Sequence, residues 1–215
     1  MKKSLMSLAV ISALLSTHAF AADAQKVGFY GGAEIGYSKI QNQSQEVANS
    51  LVSSVGGAVS VTQSTGVGIG RLFAGYNFNE SLAFELGYLW SGDANLKAAG
   101  VTGNSVGYTA NYNASVNGID YSLLVRPSVE SGWNGLFGRI GGHYLDASRD
   151  ITSSGGVTFQ NPNTSSSGGG FLVGIGYDAA IADKVDFRGS YTYYDSLAGG
   201  DGHANVFSIG VLRKF

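Results

Sequence analysis

Six ionisable side chains stand beside apolar neighbours along this chain: Glu34, Arg71, Glu85, Arg139, Asp178 and Arg188. Three are carboxylates and three are guanidiniums. The chemistry this set favours is mutual pairing, because an arginine fork matches a carboxylate with two charge-assisted hydrogen bonds. Inside an apolar shell such pairs would fill the interior; the alternative is a gate for water or ions. Asp120 and Arg126 follow a change of apolar parity at Gly118, which leaves their side open. Other chemistries find little support. A hydrolase or acyl transferase would need a nucleophile within reach of a base. Beyond residue 21 the histidines are His143 and His203, and neither sits in a Ser–His spacing of known kind. Asp195, Asp201 and His203 flank one loop, which a solvated acidic loop explains more simply than a metal site, and there is no Cys. Asp183-Lys184 reads as turn chemistry. No catalytic, cofactor-binding or metal-binding residue is assigned, and no cofactor is expected.

The elements that must hold the six are strands. Val27–Ser38 alternates Val27, Phe29, Ala33, Ile35 and Tyr37 against small or charged residues, with Glu34 among the latter. Gly70–Phe78 and Leu82–Trp90 form a hairpin around Asn79-Glu80-Ser81, with Leu72, Tyr76, Phe84 and Leu86 on one face and Arg71, Phe73, Gly75 and Glu85 on the other. If Phe78 faces Leu82, Gly75 faces Glu85. A further strand carries Ile119, Tyr121, Leu123 and Val125 and ends at Pro127; the preceding apolar positions are even, so a β-bulge is expected at Gly118. Gly135–Ala147, Gly169–Ile181 and Val185–Asp195 place Arg139 with His143, Asp178, and Arg188 opposite their apolar faces. A three-residue turn Ala182-Asp183-Lys184 would set Asp178 against Arg188. The last strand, Asn205–Phe215, aligns Phe207, Ile209, Val211 and Phe215 on one side.

Eight strands alternate with long and short connections; the long ones are Gln41–Thr65, Ser91–Asn117 and Ser148–Gly168, and the later half of Ser91–Asn117 still alternates (Val106, Tyr108, Ala110, Tyr112, Ala114, Val116), as a strand projecting beyond the membrane would. The apolar-out, polar-in period is that of a membrane barrel. Tyr37, Tyr88, Trp90, Tyr144, Tyr191 and Tyr193 fall at the long-loop ends, and Phe29, Tyr76, Phe78, Tyr177 and Phe215 at the short-turn ends, as two aromatic girdles. Composition agrees. Charged residues are 13% of the chain, Gly supplies 33 of 215 positions, and no run approaches a helical span. Residues 1–21 read as a signal peptide: Lys2-Lys3, an apolar stretch Leu5–Leu15, and Ala19-Phe20-Ala21 before the cut. Its removal takes two lysines and no acid, leaving 11 basic against 15 acidic residues, a balance without the basic stripe that nucleic acid requires. The expected fold is an all-β, eight-stranded antiparallel up-and-down transmembrane β-barrel spanning 22–215 in the bacterial outer membrane. A secreted β-sandwich would show more regular turn spacing.

The stretches Gly32–Ser38, Leu72–Phe78, Phe84–Tyr88 and Phe137–Gly142, with the ending Ile209-Gly210-Val211 and Lys214-Phe215, resemble the transmembrane domain of the outer membrane protein A family. The resemblance spans nearly the whole mature chain and implies an eight-stranded barrel with interior salt bridges, Glu85 and Arg188 standing where family members carry such charges. Gly176 stands where members can carry an interior acid, so the wiring should differ. No peptidoglycan-binding domain follows, so tethering to the wall is not expected. The expected role is envelope structure with surface recognition or adhesion through the three long loops; the alternative is a narrow porin-like diffusion channel. Expected partners are outer-membrane lipid and lipopolysaccharide, periplasmic chaperones, the barrel-assembly machinery, and a host or phage ligand on the loops, with the protein a monomer. Phe207, Ile209, Val211 and the terminal Phe215 read as the assembly signal. Deleting Phe215 should therefore lower the amount of folded, heat-modifiable barrel in outer membranes, measured by gel shift of membrane fractions; unchanged amounts would contradict that assignment.

Overall fold

The computed structural model describes residues 27–39, 57–64, 66–127, 135–155, 163–200 and 202–215. The expected leader 1–21, most of the first long loop, the turn containing Trp133 and Asp201 lie outside the described residues. Among the described residues there are ten strands: β1 Gly28–Lys39, β2 Ala58–Gln63, β3 Gly66–Asn77, β4 Leu82–Ser91, β5 Ala94–Val101, β6 Gly107–Val125, β7 Leu136–Gly155, β8 Asn163–Ala182, β9 Val185–Tyr194 and β10 Ala204–Lys214. Eight of them close a barrel in the order β1-β3-β4-β6-β7-β8-β9-β10, every pair antiparallel, with β10 returning to β1. Closure leaves no sheet edge in lipid, where each unpaired backbone group would cost several kcal/mol. The seam runs from Tyr30↔Lys214 to Lys39↔Asn205, and the Phe215 amide donates to the Phe29 carbonyl at 3.0 Å.

Parity along each strand separates two environments. Phe29, Ile35, Leu86, Leu123, Ile140, Phe171, Ile175, Phe207 and Ile209 are exposed outside; Glu34, Arg71, Phe73, Glu85, Arg139 and Arg188 are buried inside. The short turns also follow from sequence. In the first, the Asn79 side chain accepts the Ser81 and Leu82 amides, both at 2.8 Å, an Asx turn. In the turn between β8 and β9, Ala182 stands opposite Val185, so the expected three-residue turn is corrected to Asp183-Lys184 with Lys184 left-handed. A slip between Ala180 and Ala182 absorbs the extra residue, and Asp178 still lies opposite Arg188.

Two expectations change. The later half of Ser91–Asn117 is the expected projecting strand, the first half of β6, but its earlier half also holds a strand, β5, and Ser148–Gly168 is largely strand, occupied by the end of β7 and the start of β8. Above the barrel, β2-β5-β6-β7-β8 continue as a five-stranded wall on the long-connection side. Nor does β6 bulge at Gly118. Its register with β7 is continuous from Tyr108↔Gly155 to Val125↔Gly138, and its even residues face inward above and below that glycine. What changes at Gly118 is the solvent outside. Below it the outward face is apolar (Ile119, Tyr121, Leu123); above it the inward face is, with Ala110 packed on Ala98, Val59 and Val61. The extra residue sits on the neighbouring strand instead: Trp90 faces Asn117 but Ala94 faces Ala114, so Gly92-Asp93 makes the slip. Gly118 serves close approach, because a Cβ there would strike the Tyr144 carbonyl.

Cross-strand aromatic–glycine pairs hold these registers. Tyr30 lies over Gly75, Trp90 over Gly70, Tyr121 over Gly142 and Phe137 over Gly176, each ring occupying the place a methyl would take. The membrane boundary on β6 is directly testable. Leu123→Arg, on the lipid face, should cost about 2–4 kcal/mol, whereas Asn113→Arg, higher on the same face of the same strand, should cost less than about 0.5 kcal/mol. Urea unfolding of both variants in bilayers checks this; equal costs would mean the boundary is misplaced.

Candidate functional site

The strand order brings all six of Glu34, Arg71, Glu85, Arg139, Asp178 and Arg188 into one cluster in the lumen, together with Asp120 and Arg126. Asp120 and Arg126 point inward because β6 does not slip. Arg71 on β3 forks onto Asp120, with Nε to Oδ2 at 2.8 Å and Nη2 to Oδ1 at 2.7 Å, and its Nη1 donates to Glu34 Oε2 at 2.8 Å. Arg188 on β9 makes the same fork to Asp178, at 2.7 and 2.9 Å, and its Nη1 donates to Glu85. Arg139 on β7 reaches Glu85 Oε2 at 3.3 Å and Ser122 Oγ at 3.1 Å. Arg126 bridges Asp178 and Asn77, at 3.4 and 3.1 Å. Glu85 is the hub: three arginines and the Tyr30 hydroxyl (3.0 Å) surround it. Four guanidiniums thus meet four carboxylates, and the cluster is neutral.

The fully buried Arg188 guanidinium lies between two phenyl rings, 4.9 Å from the Phe73 centroid and 4.7 Å from that of Phe137. Gly176 leaves room for Phe137, whose ring stacks on the arginine. Hydroxyls complete the shell: Ser190 donates to Glu34 at 3.1 Å and Tyr194 to Asp120 at 3.3 Å. Arg139 Nε has no partner among the described residues and lies near a cavity of about 10 Å³ that Glu34, Arg71, Thr192 and Ser208 also line.

Apolar layers close the cluster at both ends. Tyr30, Phe73, Ala83, Leu124, Phe137 and Leu212 fill the short-turn side. On the other side Leu89, Leu145, Leu172, Tyr194 and Val206 pack together, with Leu197 of a 3₁₀ turn, Leu197–Gly199, laid on them from the β9–β10 connection. His143 anchors that connection, its buried Nε2 donating to the Asp195 carbonyl at 2.6 Å, in a slot that a Cβ at Gly170 would close. His203 lies tilted against Tyr193, ring centroids 5.6 Å apart. Among the described residues no three His, Asp or Glu gather to hold a metal. Phe207, Ile209, Val211 and Phe215 stand exposed on the outer face of the last strand and chain end.

Charged groups and hydroxyls inside, an apolar belt outside and a closed ring of eight antiparallel strands define a membrane-spanning β-barrel with a filled lumen. The chain belongs to the outer membrane protein β-barrel domain family, whose model matches residues 7–215. It is a protein of the bacterial outer membrane. Similar solved structures include Ail, the attachment invasion locus protein of Yersinia pestis, solved with the heparin analogue sucrose octasulfate: 12% identity over 87% of this chain and 99% of that one, TM-score 0.46. OprG of Pseudomonas aeruginosa shares 15% identity over 88% and 97% of the two chains, TM-score 0.44. Neisserial surface protein A shares 18% over 87% and 97%, TM-score 0.38. Comparison with curated proteins finds no match.

The sequence singled out the interior charges through parity. The signal for the remaining partners was equally there, since Tyr30, Phe73, Ser122, Phe137 and Ser190 share the inward parity of their strands. Arg188→Ala should destabilise the barrel by about 3–5 kcal/mol, because Glu85 and Asp178 each lose the closest of their arginine partners. Asp178→Ala should cost less, because Arg188 keeps Glu85. Arg188→Lys should rescue only part, since an ammonium replaces neither the fork nor the ring stacking. Unfolding midpoints in lipid vesicles provide the test; equal midpoints for Arg188→Ala and Asp178→Ala would contradict the ranking.

Proposed function

We propose that this protein serves envelope structure and presents a recognition surface outside the cell, with its lumen closed to solutes. The observation that carries this reading is the neutral cluster of four arginines and four carboxylates between two apolar layers, beside a cavity of about 10 Å³, room for about one water. Conduction would require breaking buried pairs at several points along the axis. The wall of β2, β5, β6, β7 and β8 supports the recognition role, lifting connecting segments clear of the bilayer on the side of the long connections, which in such barrels is the outside. The barrel is read as a non-enzymatic monomer, with both histidines otherwise engaged, His143 on the Asp195 carbonyl and His203 against Tyr193. Its partners are outer-membrane lipid and lipopolysaccharide, the chaperones and assembly machinery that deliver it, and a host or phage ligand on the loops. The mature chain is proposed to begin at Ala22, which the intact mass of the membrane-extracted protein checks.

Planar-bilayer recording of the purified barrel tests the closed lumen. No steady conductance is expected from the native protein, and measurable openings are expected from Arg188→Ala. Reproducible conductance of the native protein would replace this reading with that of a narrow diffusion channel.

A further inference from the structure

The segment Asp195–Gly200 lies across the outer end of the lumen, seated on the apolar layer above the charge cluster. Leu197 packs against the layer of Leu89, Leu145, Leu172 and Val206, and Ala198 is buried. Strand β8 is cut back to receive the segment. A Cβ at Gly168 would strike the Gly199 Cα, and one at Gly170 would strike the Asp195 carbonyl. The Asp195 amide donates to the Phe171 carbonyl at 3.0 Å, and His143 Nε2 donates to the Asp195 carbonyl at 2.6 Å. A carbonyl only accepts, so the imidazole proton sits on Nε2 and Nδ1 is a bare acceptor. That Nδ1 is buried, with no partner among the described residues. The backbone carries a cost as well. Ser196 and Ala198 have φ of 52° and 51°, the left-handed region that a Cβ disfavours.

We propose that Asp195–Gly200 is a lid, latched by His143, that lifts from the lumen while the barrel below stays folded. Two left-handed residues and one unsolvated acceptor oppose the closed position, and all three are relieved when the segment rises into water. Burial of Leu197 and Ala198 and the His143 bond oppose opening. These contributions are of the same order, so the closed and lifted positions lie close in free energy. The strand ladder need not break, because β9 ends at Tyr194 and β10 begins at Ala204, on either side of the segment. His143 is thus a positioning residue. The inference rests on the closed-lumen reading above and adds a moving part to it. Lid and charge cluster are closures in series: the lid governs entry to the outer end, and the cluster blocks passage.

The chain has no cysteine, so a single introduced thiol reports access without background. Val206→Cys places one in the apolar layer under the lid, and Leu124→Cys places one in the layer at the other end of the cluster. Each folded barrel, in bilayer nanodiscs, is exposed to a charged methanethiosulfonate and its labelling rate is read by mass. The Val206→Cys thiol should label slowly, through lid opening alone. Adding Gly168→Ala, whose methyl displaces Gly199, should speed it about tenfold. His143→Phe keeps a ring, loses the donor and should speed it about as much; His143→Gln, whose amide restores a donor, should recover most of the native rate. Gly189→Ala, where a Cβ would meet nothing within 4 Å, should leave the rate unchanged. The Leu124→Cys thiol should stay unlabelled throughout. If Gly168→Ala does not fold by gel shift, the two His143 variants carry the same test. An unchanged rate in folded Gly168→Ala or in His143→Phe would overturn the lid. Equal acceleration at the Leu124→Cys thiol would also overturn it, since the whole barrel would then be loosening. Conductance of the native protein, recorded separately, would remove the closed-lumen reading; unaltered labelling without conductance would remove the lid alone.

Discussion

A carboxylate inside an eight-stranded cylinder has almost no water to solvate it, and the rest of this barrel's interior answers that constraint. Glu85 is fully buried and meets Arg71, Arg139 and Arg188 at once. A lone buried charge would cost several kcal/mol, whereas a paired and hydrogen-bonded one can approach neutrality in free energy. The pairing here is distributed around the ring. Glu34 comes from β1, Arg71 from β3, Glu85 from β4, Asp120 from β6, Arg139 from β7, Asp178 from β8 and Arg188 from β9, while Ser208 of β10 lies 3.5 Å from Glu34. Sliding any one strand by a residue would turn its charge into lipid and strand the partners. The cluster therefore specifies register for the whole cylinder, which is the better-attested use of buried ionic groups than stability itself.

Glycine is the other half of that specification. A narrow lumen must hold four guanidiniums together with Tyr30, Phe73 and Phe137, and the wall can admit them only where it has no side chain of its own. Gly75 and Gly176 provide those places directly opposite Tyr30 and Phe137. Tyr30 then reaches Glu85, and Phe137 covers Arg188. A missing Cβ on one strand thus lets an aromatic ring on the next one hold a charge on a third. The high glycine content reflects steric room at chosen positions more than flexibility.

Much of this was legible in the sequence, and the reason is physical. Period two in a membrane strand is enforced from both sides, by lipid outside and by the crowded lumen inside, so Glu34, Arg71, Glu85, Arg139, Asp178 and Arg188 stood out as breaks in apolar company. The Asp178–Arg188 pairing was readable from inward parity, but the turn was not: the chain turns at Asp183-Lys184, and a slip between Ala180 and Ala182 brings the same two residues opposite each other. The upper strands were not readable in the same way. The alternation around Asn111 and Asn113 marked a strand, but Ser148 and Ser165 look like loop residues, since a composition of Ser, Asn and Gly is shared by loops and by strands that face water on one side. The slip at Gly92-Asp93 was hidden for a different reason: a bulge is a property of a pair of strands, and neither strand alone records it.

The misreading at Gly118 follows from the same physics. Apolar parity marks the side of a strand from which water is excluded, and it marks the lumen side only while the exterior is water. Along β6 the exterior is lipid up to Ile119 and aqueous from Asn117 on, so the apolar residues move from the outer face to the inner one without any change in pairing. Tyr108, Ala110 and Val116 are inward for the reason any soluble sheet buries one face, and Ile119, Tyr121 and Leu123 are outward because lipid accepts them. The inversion point on one strand is therefore a depth marker. Matching markers on β6, β7 and β8 fall on one registered row, Asn117, Asp146 and Ser167, which fixes where this barrel meets the top of the acyl layer without reference to any lipid being present.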